Sequence, residues 1–239
     1  MKVLVIPDVH LKYDMFKQAQ NLMEAGVTDK AVCLMDIADD WHMQFQIDAY
    51  IRAYEEAINF AIDFPNTLWC YGNHDLCYLW NERETGYSLY ADRIVCEMLG
   101  KLKQTVKEQG SSIQYVQKID NVLFLHGGLT ETFVKENVPM EKQNNIEDTL
   151  NIINSLGHYE MWNDDSPIWY RPQERKEKLY KESQLLQVVG HTPVKEILKV
   201  GNVISCDTFS TYSDKTPIGS QQFLLIDTET MEYRGIKYV

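Results

Sequence analysis

The sequence predicts an α/β fold built around a sheet with parallel strands. Three observations carry this prediction: short apolar runs rich in branched and aromatic residues, amphipathic helical stretches between the early runs, and an alternating pattern near the C-terminus. Strand–helix–strand order favours parallel neighbours, because parallel strands need a long return connection. A chain of 239 residues is long enough to bury a substantial core.

Seven apolar runs of four to five residues are predicted to be buried strands. They are Val3–Ile6, Ala31–Met35, Thr67–Tyr71, Val122–Leu125, Leu185–Val189, Val203–Cys206 and Phe223–Ile226. The segments Gln222–Asp227 and Met231–Lys237 flank a polar turn, and this pattern is typical of an antiparallel hairpin. The hairpin therefore adds antiparallel strands to the parallel set.

Three stretches place apolar residues on one face of a predicted helix. The first consists of Phe16, Ala19, Leu22 and Met23, with Gly26 placed to end the helix. The second consists of Ile47, Ile51, Tyr54, Ile58 and Ile62. The third consists of Leu89 or Tyr90, then Ile94, Met98, Leu102 and Val106, and it ends before Gly110. We interpret all three faces as core packing.

The stretch 130–182 differs from the rest because it is mostly polar with a helical pattern. One apolar face in it is formed by Ile146, Leu150, Ile153 and Leu156. It lies between two predicted strands whose ends carry polar residues, so we predict a helical cap or lid. No repeat, low-complexity tract or linker interrupts the sequence, and residues 1–239 are predicted to form a single domain.

Composition limits the classes of function. The net charge is −12 and the chain has only six arginines, which disfavours nucleic-acid binding because that binding depends on neutralising phosphates. The apolar stretch Val3–Ile6 is too short for a signal peptide or a membrane span. The cysteines form no CxxC pair, so we expect free thiols in a reducing compartment, with the cytoplasm as the predicted location. They are Cys33, Cys70, Cys77, Cys96 and Cys206.

Polar residues follow five of the predicted strands directly. The segments are Asp8-Val9-His10, Asp36 with Asp39 and Asp40, Gly72-Asn73-His74-Asp75, His126-Gly127-Gly128 and Gly190-His191-Thr192. Any one of them alone is more often an ordinary turn. Their recurrence at strand ends predicts a shared site, because ligands of α/β sheets bind outside the carboxyl ends of the strands.

The order of these motifs resembles the calcineurin-like metallophosphoesterases. Within them it is most similar to the branch of phosphoprotein phosphatases and bacterial diadenosine tetraphosphatases. The motifs span residues 8–191, and Asp207-Thr208 resembles a further family segment. The resemblance implies a sandwich of two mixed β-sheets flanked by helices. It also implies a metal-dependent phosphatase that hydrolyses phosphate monoesters by in-line attack of a metal-bridging hydroxide.

The resemblance also implies roles for individual residues. One metal would be held by Asp8, His10 and Asp36, and a second by Asp36, Asn73, His126 and His191. Two divalent ions are expected, with manganese first and iron or zinc as alternatives. His74 would be the general acid, and Asp39 would accept its other N–H.

One departure from the family concerns phosphate binding. Phosphoprotein phosphatases usually carry Gly-Asp-x-x-Asp-Arg-Gly at the second of these motifs, but here Asp40 replaces the phosphate-binding arginine. Arg171 follows Trp169 in a segment that resembles a phosphate-contacting Trp-x-Arg motif, and we predict that it binds the phosphate. The alternative is that Arg171 is a surface residue and that Arg175 or the metals bind the phosphate. His42 and His158 are interpreted as structural.

Two other functions are alternatives. One is hydrolysis of dinucleoside polyphosphates or related nucleotides, and the other is a scaffold with this fold that binds partners without turnover. The expected partner is a phosphorylated substrate, either a protein or a small molecule. No nucleic acid or membrane partner is expected, and the sequence assigns no oligomeric state.

Overall fold

The computed structural model describes residues 1–237 as two β-sheets and a set of helices. The strands are β1 (Lys2–Ile6), β2 (Lys30–Cys33), β3 (Leu68–Cys70), β4 (Ile113–Gln114), β5 (Val116–Ile119), β6 (Val122–Leu125), β7 (Leu186–Val189), β8 (Leu198–Val200), β9 (Val203–Ser205), β10 (Phe223–Asp227) and β11 (Tyr233–Ile236). The helices are α1 (Asp14–Glu24), α2 (Ile47–Asp63), α3 (Asn73–Trp80), α4 (Asp92–Glu108), α5 (Glu131–Asn137), α6 (Ile146–Ile153) and α7 (His158–Met161).

The first sheet has six strands in the order β11-β10-β1-β2-β3-β4. Strands β1 to β4 run parallel, with Val3 opposite Lys30, whereas β10 runs antiparallel to β1 and to β11. The predicted parallel strands and the C-terminal hairpin are therefore confirmed. The sequence pattern missed β4, because two residues are too short to produce a periodic signal.

The second sheet has five strands in the order β5-β6-β7-β9-β8. Its central strands β6, β7 and β9 run parallel, and the edge strands β5 and β8 are antiparallel to their neighbours. The apolar runs predicted the three central strands but neither edge strand. All three residues of β8 are exposed and β5 contains a glutamine and a lysine, so neither forms the continuous apolar run of a central strand.

The two sheets pack against each other through one face each. Val3 and Val5 of β1 point into a core that they share with Phe124 of β6, whereas Leu4 and Ile6 point to the opposite face and pack with the helices. Both faces of the central strands are thus buried, which explains their unbroken apolar sequences. The predicted fold of two mixed sheets flanked by helices is confirmed.

The predicted face of α2 was wrong in part. Ile62 is 53% exposed, and the buried side of the helix is instead formed by Tyr50, Ala53, Tyr54, Ala57, Phe60 and Ala61. Helix α2 packs against α4, and the hydroxyls of Tyr50 and Tyr54 reach Asp39 and Asp75 near the ends of the strands. A similar correction applies to α4, which begins at Asp92, so that Leu89 and Tyr90 lie outside it and are exposed.

The stretch 130–182 contains α5, α6 and α7, followed by turns without a further helix. Leu150 and Ile153 bury the predicted apolar face of α6. Its function as a cap stays a prediction, as does the single domain. Within residues 1–237, no helix is long and apolar enough to cross a membrane. The five cysteines are free, and Cys33, Cys70 and Cys206 are buried as expected.

Candidate metal centre

The structure brings the predicted polar residues together at one edge of the two sheets. Strands β1, β2 and β3 of the first sheet and β6 and β7 of the second sheet end there. Two groups of potential metal ligands result, in each of which the ligand atoms lie within 4.8 Å of one another. The first group is Asp8, His10 and Asp36, and the second is Asp36, His126 and His191. Asp36 belongs to both groups.

In the first group, hydrogen bonds orient both neighbours of Asp36. His10 uses Nδ1 toward the backbone oxygen of Asp39 at 3.0 Å, which leaves its Nε2 4.0 Å from Asp36 Oδ2. Asp8 Oδ1 accepts the backbone N–H of His191 at 2.8 Å, whereas Asp8 Oδ2 is buried and has no hydrogen-bond partner among the described residues. Buried polar atoms are normally paired, so an orphaned oxygen here is suited to binding a cation.

In the second group, His126 is fixed by its Nδ1, which donates to the backbone oxygen of Leu34 at 3.1 Å. Its Nε2 then faces two oxygens at 3.0 Å each, Oδ2 of Asp36 and Oδ1 of Asn73. Nε2 of His191 is also buried, and none of residues 1–237 bonds to it. Imidazole and carboxylate groups that point toward one place are typical ligands of transition metals, so these residues fit a metal ion.

The electrostatics of the edge also favour bound positive charge. Burial and the charge of Asp207 raise the pKa of Asp8. Burial lowers the pKa of His126, but the charges of Asp36 and Asp8 outweigh this and raise it to about 9. The pKa of His191 is lowered by burial and by the charge of His126, so its imidazole is neutral and can act as a ligand. Divalent cations would supply the charge that two buried carboxylates require.

The backbone around these ligands is strained. His10, Asp36 and His191 adopt positive φ angles of 42°, 42° and 61°, which are uncommon for residues with a side chain. A Cβ atom at Gly190 would lie 2.2 Å from Asp8 Oδ2, and one at Gly72 would lie 1.9 Å from Asp36 Oδ1. Only glycine therefore lets the carboxylates approach the neighbouring strand ends. Strain of this kind is concentrated at functional sites.

His74 and Asp39 form a hydrogen-bonded pair beside the ligands. His74 Nδ1 donates to Asp39 Oδ2 at 2.9 Å, which leaves Nε2 available to a substrate. Burial lowers the pKa of His74, but the charges of Asp36 and Asp39 raise it to about 9. Asp39 and Asp36 thus favour the charged imidazolium, the form that a general acid needs before it donates.

A pocket of about 260 Å³ lies over this edge. Its lining includes His10, Asp39, Asp40, Trp41, His74, Arg171, His191 and Thr211. Arg171 donates to the backbone oxygen of His191 at 3.1 Å and to Thr192 Oγ1 at 3.2 Å, which directs the guanidinium into the site. Arg175 lies elsewhere and pairs with Asp165 and Glu177 on the surface.

Asp40 points into the pocket but has a cationic partner. Its Oδ2 lies 3.7 Å from Lys12 Nζ, and its Oδ1 accepts the backbone N–H of Trp41 at 2.8 Å. Lys12 thus offsets part of the charge that would repel a phosphate. Lys12 could not be identified from the sequence, because it lies 28 positions before Asp40 and no motif connects the two.

The two remaining histidines lie outside the lining of the pocket. His158 bonds to Glu82 at 2.8 Å and stacks on Trp80, and His42 is exposed.

Two tyrosines that the sequence motifs did not indicate, Tyr50 and Tyr78, contact Asp39. For Tyr50 the available signal was the aromatic pair that it forms with Tyr54 along α2, which the isoleucine pattern obscured.

Comparison with known proteins identifies the family. The model of the calcineurin-like phosphoesterases matches residues 1–213. The chain belongs to this family. The family uses a dinuclear divalent metal centre and hydrolyses phosphoesters, so this phosphoesterase has phosphorylated substrates. The resemblance inferred from the motifs is confirmed.

Solved structures support the same fold at low identity. A cold-active protein tyrosine phosphatase from a psychrophilic Shewanella species is 17% identical with a TM-score of 0.57, and the match covers 99% of this chain and 80% of that one. A serine/threonine protein phosphatase from Saccharomyces cerevisiae is 14% identical with a TM-score of 0.55, covering 100% and 80%. No curated protein sequence gives a significant match. At such identities these neighbours establish the fold alone.

Proposed function

We propose that this calcineurin-like phosphoesterase is a metal-dependent phosphatase that hydrolyses phosphate monoesters. The observation that carries the proposal is the pocket itself. One member of each ligand group lines it, His10 and His191, together with the imidazole of His74 and the guanidinium of Arg171. The pocket thus combines metal binding, phosphate binding and proton donation at a single place.

Asp8, His10 and Asp36 would hold one divalent ion, and Asp36, Asn73, His126 and His191 the other. We propose manganese, with iron or zinc as alternatives, because carboxylate, amide and imidazole ligands suit these metals. When bound, the ions supply polarisation of phosphoryl oxygens and activation of water. The free cysteines favour a reducing compartment, for which we propose the cytoplasm.

The protein's own groups then handle the substrate and the proton. Arg171 binds two phosphate oxygens through its planar guanidinium, whose position is set by the contacts with His191 and Thr192. His74 donates the proton from Nε2 to the leaving oxygen. Asp39 holds Nδ1 of His74 and stabilises the imidazolium until the proton is transferred.

The charges in the pocket favour a monoester over a dinucleoside polyphosphate. Arg171 is the only lysine or arginine among the described residues that line it, and Asp40 adds a carboxylate to the same wall. A chain of several phosphates would need more cationic partners, since each buried anionic group requires a counter-charge. A scaffold without turnover would not require the His74–Asp39 pair.

The test is a comparison of substrates on protein loaded with manganese, zinc or iron. We expect hydrolysis of p-nitrophenyl phosphate and of small or peptide phosphomonoesters, and much slower hydrolysis of bis-p-nitrophenyl phosphate and diadenosine tetraphosphate. Faster turnover of the tetraphosphate would favour the nucleotide alternative. Absence of turnover with every metal and ester would favour the scaffold.

A further inference from the structure

The carboxylate of Asp39 receives three side-chain hydrogen bonds. His74 Nδ1 donates to Oδ2 at 2.9 Å, and two tyrosine hydroxyls donate to Oδ1, from Tyr78 at 2.5 Å and from Tyr50 at 3.1 Å. Tyr50 lies on α2 and Tyr78 on α3, so two separate helices hold one oxygen. Asp39 is 2% exposed, and both tyrosines are buried as well.

This arrangement restricts the rotation of the carboxylate. A carboxylate oxygen offers about two lone pairs to hydrogen-bond donors. Both tyrosines occupy Oδ1, so Oδ2 remains for His74, and turning the carboxylate would break all three bonds. Burial and then the charge of Asp39 raise the pKa of both tyrosines, so their hydroxyls stay protonated and remain donors.

Tyr78 also connects Asp39 to the loops that form the wall of the pocket. Its hydroxyl accepts the backbone N–H of Ser88 at 2.9 Å, and its ring stacks on Tyr87 with centroids 4.4 Å apart. Ser88 Oγ donates to the backbone oxygen of Gln44 at 2.5 Å. The segments 39–46 and 81–91, which supply Trp41 and Gly86 to the pocket, are therefore tied to the same hydroxyl.

We propose that Tyr78 and Tyr50 are positioning residues of this phosphoesterase, which act through Asp39 to hold the imidazole of His74 in the orientation needed for proton donation. This inference rests on the proposed function, because it concerns the acid step of that reaction. The two tyrosine hydroxyls therefore contribute to the rate of the reaction, in addition to the packing of their rings.

The chain contains a matched control in Tyr54, one helical turn along α2 from Tyr50. Its hydroxyl donates to Asp75 Oδ1 at 2.8 Å, and the side chain is fully buried. Asp75 Oδ1 also accepts the backbone N–H of Ile37, but the carboxylate makes no hydrogen bond to His74. Tyr54→Phe therefore removes the same kind of hydrogen bond without touching the Asp39–His74 pair.

The first measurement compares two esters on the manganese-loaded protein. Phenyl phosphate releases a strongly basic phenolate that needs a proton, and p-nitrophenyl phosphate releases a much weaker base. For Tyr78→Phe we expect kcat on phenyl phosphate to fall by roughly 10-fold, a part of the 10²–10⁴-fold that a general acid typically supplies. The loss on p-nitrophenyl phosphate should be smaller, and KM should not change. Tyr50→Phe should act in the same direction but less, since its hydrogen bond is longer.

The second measurement does not depend on turnover. The His74 Nδ1 proton is followed by NMR in zinc-loaded protein and is assigned by its loss in His74→Asn. We expect slow exchange with solvent in the wild type and in Tyr54→Phe, and faster exchange in Tyr78→Phe. If the wild type hydrolyses neither ester, the proposed function fails, and the exchange rates alone decide the positioning role.

Two outcomes would overturn the inference. One is a loss of kcat in Tyr78→Phe that is the same on both esters and is matched by Tyr54→Phe. A purely structural role predicts this result, because it does not depend on the leaving group. The other is an exchange rate of the His74 proton that is the same in all variants. If Tyr78→Phe does not fold, the same two measurements on Tyr50→Phe decide the question.

Discussion

The space between the sheets and the edge where their strands end both contain deeply buried side chains, but these side chains differ in chemistry. Between the sheets, side chains such as Val5, Phe124 and Leu224 are apolar and pack against one another. At the edge, Asp8 and His126 are as deeply buried but are polar, and the backbone there adopts positive φ angles. Burial therefore stabilises the fold in the first region, whereas in the second it costs stability and tunes the chemistry of the ligands.

The comparison predicts that a change at the edge lowers activity while the fold survives. Asp36→Asn keeps the shape of the side chain and the acceptor for the His74 backbone N–H, but removes the charge shared by both ligand groups. We expect a loss of activity of at least the roughly 10²–10⁴-fold that one catalytic group typically supplies. Turnover and metal content by mass spectrometry test this. Wild-type turnover with two bound metals would disprove the assignment of Asp36 as the shared ligand.

A second variant separates proton donation from metal binding at the same edge. His74→Asn should retain the metals, because His74 belongs to neither ligand group. Turnover of esters with poor leaving groups should fall by about 10²–10⁴-fold. Activated esters need less protonation of the leaving oxygen and should lose less. Equal losses on both kinds of ester would mean that His74 has another role.

The converse prediction concerns the core between the sheets. Leu224 of β10 is fully buried there, and β10 carries none of the candidate ligands. Leu224→Ala should lower the free energy of unfolding by about 2–5 kcal/mol through lost burial and a residual cavity. The kcat per folded molecule should stay near that of the wild type. Urea titration and active-site-normalised kinetics measure the two quantities, and a large drop in kcat would show that the two regions are coupled.

The smallest expected effect lies at the wall of the pocket. Arg171 lines it, whereas Arg175 pairs with surface carboxylates. Charge-assisted hydrogen bonds contribute roughly 1.5–3 kcal/mol, so Arg171→Ala should lower kcat/KM by about 10–150-fold. Arg171→Lys should recover only part, because an ammonium cannot bind two oxygens in the same fork. Steady-state kinetics of Arg171→Ala and Arg175→Ala side by side test this, and impairment of Arg175→Ala alone would refute the role of Arg171.

The sequence was sufficient for the features that depend on neighbours along the chain. Continuous apolar runs identified the central strands, and the polar segments directly after them identified the candidate ligands, because parallel strands deliver their ends to one edge. It was insufficient for the edge strands β5 and β8, whose solvated or mixed residues lack such a run. It also misplaced the buried face of α2, because the sequence does not show which apolar residues, such as the isoleucines, remain exposed.

What the sequence by itself determined is the set of chemical groups and the strand ends that carry them. Tertiary structure alone decided which groups face each other. It paired Asp40 with Lys12, selected Arg171 over Arg175 for the pocket, and directed two tyrosine hydroxyls to Asp39. These contacts join residues from different elements of the fold. Hydrogen bonds and ion pairs depend on distances of a few ångströms, which only the packing of helices on the sheets defines.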